Sequence, residues 1–448
     1  MRLFIFSLTI FAGAALPACS TAYRIKQVAK KHLLEVTETR NSHIGIALYD
    51  PSKQEILFDH NGSSYFTPAS NTKIVTCYAA MKHLGDSIAG MHYAESETSL
   101  HVRPTGDPTL LHRDFDKQPV IDLLKRKGKP VIIETQGWKS AAWGSGWSWD
   151  DYDQGYMPER SPLPVYGNIL EWHQQMDSTS HVKLPSASPA VSIYSIPEVN
   201  WKVRFDQNEP NSTFSVTRSL HENEFLIREG KEKNKTQNVP FITYGAASAV
   251  SLLKDSLPLG IRISDQPEER PSRFETVFTR PLDSVLQPMM HRSDNFFAEQ
   301  LLLMVSEKML GVMDVNQVID SILRSDLSDL PQPPRWADGS GLSRYNLFSP
   351  KDILSILNKI EIEFGMERVK TIFPSGGEGT ISTLYLTDKE KIYAKTGTLS
   401  GVVALSGYLF THKRKWVLFS IMINHHRGNA TSIRKKIEQF VTDVRKRL

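Results

Sequence analysis

The segments that read as strands stand at opposite ends of the chain. Near the start, His43-Ile44-Gly45-Ile46-Ala47-Leu48-Tyr49 alternates as a strand does, Asp50-Pro51 supplies a turn, and Glu55-Ile56-Leu57-Phe58 returns as its hairpin partner. Near the other end, Lys391–Lys395, Val402–Phe410 and Trp416–Asn424 read as three further strands, followed by a basic helix from Ser432 to Arg447. If both ends supply one sheet, whatever lies between is an insertion or the helices that cover the sheet. Ile74, Cys77, Tyr78, Met81 and Leu84 fall at helical spacing within Ser70–Leu84, and helical periods return at Leu282–Met290, Asn295–Leu310, Val315–Leu323 and Pro350–Ile360. From about 95 to 280 short β-like runs and turns such as Gly144-Ser145-Gly146-Trp147 and Ser161-Pro162-Leu163-Pro164 dominate. The expected fold class is α/β (α+β), an antiparallel sheet with flanking helices formed by 24–94 and 281–448, interrupted by β-rich accessory domains over 95–280.

The ends also say where such a chain goes. Met1-Arg2, the apolar run Leu3–Leu16 and then Pro17-Ala18-Cys19-Ser20 have the order of an export signal. Polar Thr21, Tyr23, Arg24 and Lys26 arrive too early for a comfortable membrane span. Leu16-Pro17-Ala18-Cys19 resembles a bacterial lipoprotein box, in which cleavage precedes a cysteine that is then lipidated; ordinary signal cleavage and a buried helix are the alternatives. The expectation is an exported, periplasmic protein with residues 1–19 as leader and Cys19 as lipidation site, touching a membrane only through that anchor. Cys19 and Cys77 are the only cysteines, so a disulfide framework is excluded. A net charge of +4 without a clustered basic patch argues against a nucleic-acid partner.

Three short motifs follow one another along the chain: Ser70-Asn71-Thr72-Lys73, Ser293-Asp294-Asn295 and Lys395-Thr396-Gly397. An S-x-x-K pattern arises by chance about twice in a chain this long, S-D-N or K-T-G about 0.1 times each, so the ordered triple carries the information. Serine and lysine three apart at a helix start share a face, so the amine reaches the hydroxyl. Lys73 acts as a base near neutral pH only if its ammonium is destabilised, by burial or by a second cation such as Lys395. Ser293 and Asn295 open the next long helix, where an N-cap serine is the structural alternative to a proton relay. Lys395, Thr396, Gly397 and Thr398 end a strand whose edge can dock an extended peptide. There Lys395 and Thr396 can take a carboxylate, and the N–H groups of Thr398 and Ser70 can face an oxyanion. His425-His426 lacks any metal-ligand grouping, and Gly376-Gly377-Glu378-Gly379-Thr380 lacks the G-K-[ST] of a phosphate loop and reads as a flanking loop. No metal or cofactor is called for.

This motif set is that of the serine β-lactamases and penicillin-binding proteins. With Pro68-Ala69-Ser70-Asn71-Thr72-Lys73, Gly106-Asp107-Pro108-Thr109-Leu110, Gly146-Trp147-Ser148-Trp149-Asp150-Asp151, Asp338-Gly339-Ser340-Gly341-Leu342-Ser343-Arg344 and Gly397-Thr398-Leu399-Ser400-Gly401-Val402, the chain resembles the D-Ala-D-Ala carboxypeptidase/endopeptidase group of class C low-molecular-mass penicillin-binding proteins from about 40 to 445. The resemblance implies a β-lactamase/transpeptidase-like sheet and accessory domains in the long gap between Lys73 and Ser293. It implies cleavage of peptidoglycan stem peptides through an acyl-enzyme on Ser70, with β-lactam antibiotics as covalent inhibitors. Asp151, Tyr156 and Arg344 would then contact the stem peptide. A β-lactamase, with the same first half-reaction, and a non-catalytic β-lactam or peptidoglycan sensor are the rival readings.

Overall fold

The computed structural model describes residues 16–176, 191–206, 213–257, 259–266, 271 and 273–448. Most of the leader, and the side chain of Cys19, lie outside the described residues. Both chain ends do build one sheet: Ile392–Leu399, Val402–Phe410, Trp416–Asn424, His43–Asp50 and Glu55–His60 in that order, antiparallel throughout. Its inner strands are buried on both faces, so they read as near-continuous apolar runs, and only the two-residue period separates the faces. Ala47, Ala404, Tyr408, Leu418 and Met422 face a core made with helices Thr72–His83, Asn295–Leu310 and Pro350–Phe364. Ile44, Ile46, Val403, Leu405, Ile421 and Ile423 face the terminal helices Leu16–Ala29 and Ala430–Arg447, through Ile25, Val28, Ile433 and Ile437. No described helix is long and apolar enough to cross a membrane.

The middle of the chain forms separate sheets. Ile261–Ser264, Val131–Glu134, Leu100–Pro104, Ser87–Glu95 and Glu275–Pro281 make a five-stranded mixed sheet, parallel on either side of Val131–Glu134. Two three-stranded sheets accompany it: Lys202–Phe205, Glu224–Arg228 and Ser215–Arg218, then Asn234–Pro240, Ile169–Met176 and Val191–Ile196. Leu100, Val131, Leu170, Trp172, Phe225 and Phe241 belong to one core shared by these elements. The expected boundary at 94/95 needs correction. Ser87–Glu95 pairs along its length with Glu275–Pro281 and, through the turn closed by Ser96 N–H on the Ser99 carbonyl, with Leu100–Pro104. The boundary therefore falls before Ser87 and not after Ala94.

What joins the two regions is the helix Asn295–Leu310. Every residue from Phe296 to Ser306 is buried, as a helix wrapped on all sides requires. Its Gln300 amide donates to the carbonyls of Gly106 and Ser161, both at 2.9 Å, and accepts the Ser161 N–H at 3.1 Å. One position earlier, buried Glu299 takes Arg160 of the middle segment by two contacts of 2.8 and 2.6 Å. Removing one partner of such a pair strands the other's charge, so Arg160→Ala should cost about 3–5 kcal/mol of stability. A urea melt reads this directly, and a midpoint equal to the parent protein's would contradict it.

Candidate active site

The Ser70 turn is made by a short 3₁₀ segment, Ala69–Asn71, that runs into the helix Thr72–His83. Ala69 holds a left-handed φ of 49°, a conformation a residue with a Cβ resists. Two glycines let other segments close on this turn. A Cβ on Gly397 would stand 2.6 Å from the Pro68 carbonyl oxygen, and one on Gly341 would stand 2.0 Å from the Ala69 carbonyl oxygen. The edge strand Ile392–Leu399 and the loop 338–344 therefore meet directly at the Ser70 turn. The loop is shaped by buried Asp338, whose carboxylate accepts from Gly341 N–H, Ser343 N–H, Asn346 Nδ2 and Trp147 Nε1 at 2.6–2.8 Å. Burial, and then the nearby charge of Glu299, hold the Asp338 carboxyl above its ordinary value.

Lys73 lies one helical turn from Ser70 and is fully buried. Its Nζ stands 3.1 Å from Ser70 Oγ, 2.6 Å from Asn295 Oδ1 and 2.7 Å from the carbonyl oxygen of Ser340. Burial pushes this lysine down to about 8, against the opposing pull of the carboxylates of Asp338, Glu299 and Asp294. A neutral amine keeps two hydrogens and one lone pair. Asn295 and Ser340 accept the two hydrogens, which leaves the lone pair on the side of the Ser70 hydroxyl. Asn295 is itself oriented, since its Nδ2 donates to the Tyr156 carbonyl at 2.8 Å and so turns Oδ1 toward Lys73.

The second lysine is arranged differently. Lys395 Nζ donates to Ser293 Oγ and to the Thr396 carbonyl, both at 2.9 Å. Burial first, and then the charge of Lys73, hold Lys395 well below its ordinary value. Of the two causes open from the sequence, burial is the one that depresses Lys73, and the cation–cation effect falls on Lys395. Ser293 is not the helix cap that its position suggests. It has a left-handed φ of 62°, while Asp294 caps the helix by accepting the Phe297 N–H at 3.1 Å. That leaves the Ser293 hydroxyl to Lys395 and to the cleft.

Ser70, Ser293, Asn295, Asp151, Tyr156, Arg344 and Thr398 all line one cleft of about 670 Å³, with Lys73 and Lys395 buried behind its wall. Desolvation and a hydrogen bond to Asp151 push the Tyr156 phenol up to about 12. Arg344 donates to the Ser400 carbonyl at 3.2 Å, and Thr396 donates to Thr380 of the glycine-rich loop at 2.8 Å. Trp147 also lines this cleft, and Trp149 is exposed. Asp338, Ser340 and Thr380 stand in sequence segments named above but are given no role there, and Glu299 is not singled out at all. Ser340 acts through a backbone carbonyl and Glu299 by holding the Ser340 N–H at 2.7 Å, roles that no side-chain pattern encodes.

The D-Ala-D-Ala carboxypeptidase 3 (S13) family matches residues 26–444, and the chain belongs to that family of serine-type hydrolases. It is 25% identical to the D-alanyl-D-alanine carboxypeptidase DacB of Haemophilus influenzae, over 90% of each chain. It is 23% identical to the D-alanyl-D-alanine carboxypeptidase of Actinomadura sp., over 89% of this chain and 80% of that one. The crystal structure of penicillin binding protein 4 from Haemophilus influenzae superposes with a TM-score of 0.72 at 24% identity, covering 94% of this chain and 98% of that one. The same Haemophilus protein complexed with a β-lactam gives 0.66 at 22% identity, over the same shares. The expected fold, a β-lactamase/transpeptidase-like sheet with added β-rich sheets, is thus the fold of a known penicillin-binding protein.

Asn295→Asp sets a carboxylate 2.6 Å from Lys73 Nζ in place of an amide oxygen. An anion that close favours the ammonium and should move the rising limb of the acylation pH profile, expected near 8, upward by about 1–3 pH units. Rates of covalent labelling by a chromogenic β-lactam across pH measure it. An unmoved limb would mean that the group titrating is not Lys73.

Proposed function

We propose that this chain hydrolyses the terminal D-Ala-D-Ala bond, or the D-Ala cross-link, of peptidoglycan stem peptides through an acyl-enzyme on Ser70, and that β-lactams acylate the same oxygen. The observation that carries this is the Lys73 amine 3.1 Å from Ser70 Oγ with its two other directions already taken by acceptors. With roughly one-tenth of a group titrating at about 8 neutral at pH 7, free base is available without a change of fold. Lys73 takes the Ser70 proton as Oγ attacks the D-Ala carbonyl carbon, and the oxyanion forms against the N–H groups of Ser70 and Thr398. Because the Ser293 hydroxyl accepts from Lys395, its own hydrogen is free to pass to the departing amine nitrogen, and Lys395 returns a proton to the Ser293 oxygen. Water then attacks the ester carbonyl and releases the shortened peptide. Thr398, and Thr396 once its hydroxyl turns from Thr380, receive the carboxylate of the leaving residue, and Asp151, Tyr156 and Arg344 contact the stem on the acyl side. The β-lactam held by the Haemophilus relative supports the inhibitor half of this reading.

The order of charged, apolar and small residues ahead of Cys19 supports export to the periplasm and a lipid anchor on that cysteine. Intact mass after exposure to penicillin tests both parts. The parent protein should gain the mass of the drug, and Ser70→Ala should neither gain it nor cleave peptide. Lys73→Ala should label several orders of magnitude more slowly, since members of one catalytic unit each cost nearly the whole effect, and Ser293→Ala should lose about 10²–10⁴-fold. The mature N-terminus should be Cys19 carrying lipid. Covalent labelling of Ser70→Ala would overturn the mechanism, and an unmodified N-terminus beyond Cys19 would overturn the anchor alone.

A further inference from the structure

Thr398 is held from behind by a residue that no motif includes. Arg434, in the second turn of the C-terminal helix Ala430–Arg447, donates from Nη2 to Thr398 Oγ1 at 2.6 Å. Thr398 lines the cleft that holds Ser70. Among the described residues Arg434 has no carboxylate partner within ion-pair distance, whereas Lys436 two positions on pairs with Glu38 at 3.5 Å and Arg445 pairs with Asp388 at 2.9 Å. An unpaired, half-buried guanidinium aimed at one hydroxyl has two effects. It occupies acceptor capacity on the Thr398 oxygen, so that the hydroxyl hydrogen is the part left to point into the cleft, and donation in a chain strengthens the outer donor. It also places a guanidinium charge behind that hydroxyl.

We propose that Arg434 is the positioning residue by which this chain selects peptides whose leaving residue bears a free α-carboxylate, over neutral amides or esters of the same length. It acts by fixing the Thr398 hydroxyl as a donor and placing a positive charge behind it. The inference rests on the functional reading above and adds to it the requirement on the leaving residue. The selectivity concerns only the carboxylate, so it applies to a terminal D-alanine and equally to a cross-linked residue that keeps its own carboxylate free.

The test uses the full chain with Arg434→Gln and Arg434→Lys. One substrate pair is a peptide ending in D-Ala-D-Ala and its C-terminal amide; the second is benzylpenicillin and its methyl ester, read as acylation rates. Loss of one charge-assisted contact near the surface predicts that Arg434→Gln lowers kcat/KM for the free acid by about tenfold, chiefly through KM. The amide and the methyl ester should be unchanged, and Arg434→Lys should retain most of the acid preference. Thermal midpoints of the variants monitor the fold. Equal losses on the charged and neutral member of each pair, or no loss on the acid, would overturn the role of Arg434 while leaving the functional reading intact. A parent protein that releases D-alanine from no peptide and is acylated by neither drug would overturn that reading, and this inference with it.

Discussion

The arrangement turns on the burial of one amine. Lys73 is removed from water, and burial costs its charged form more than the surrounding carboxylates of Asp338, Glu299 and Asp294 return. Those acids stop the lysine from becoming permanently neutral, which would make it a weak base with no tendency to hold the proton it accepts. A group poised near the working pH is the compromise that proton transfer favours. The same burial imposes a hydrogen-bond requirement, because each amine hydrogen needs an acceptor in a place without solvent. Asn295 Oδ1 and the Ser340 carbonyl meet it, and in meeting it they fix which way the lone pair faces.

Much of the surrounding structure serves to bring those acceptors in. The Ser340 carbonyl is aimed by the Asp338-centred loop and by Glu299, which takes the Ser340 N–H. Glu299 in turn is neutralised by Arg160 from the middle of the chain, so the inserted sheets are coupled to the site through a buried ion pair, on top of supplying Asp151 and Tyr156 to its rim. The Tyr156 carbonyl orients Asn295 from the same side. Gly341 and Gly397 remove the only atoms that would hold the loop and the strand edge away from the Ser70 turn. Catalytic sheet, helix and insertion thus converge on one nitrogen.

The motif side chains Ser70, Lys73, Ser293, Asn295 and Lys395 were legible in the sequence as a group, from residue type and spacing, and the structure brings them together at one cleft, with Ser70, Ser293 and Asn295 lining it and the two lysines buried behind its wall. The sheet shared by the two chain ends was legible because its strands carry an apolar period. Other features were not. The expected boundary at 94/95 groups most of Ser87–Glu95 with the terminal sheet, but the segment belongs to a different sheet, since its pairing depends on Glu275–Pro281, far along the chain. Ser293 looks like an N-cap, and only its left-handed backbone, set by what packs around it, hands that job to Asp294. Ser340 contributes a backbone oxygen and Arg434 a contact across 36 positions of sequence, and local pattern is silent on both.

The account stands or falls on Lys73 being able to lose its proton in the resting protein. A nitrogen-resolved NMR titration of Lys73 Nζ, assigned by its disappearance in Lys73→Arg, measures this directly. The structure predicts a midpoint near 8. An Nζ that remains an ammonium above about pH 10, as an unperturbed lysine does, would contradict it.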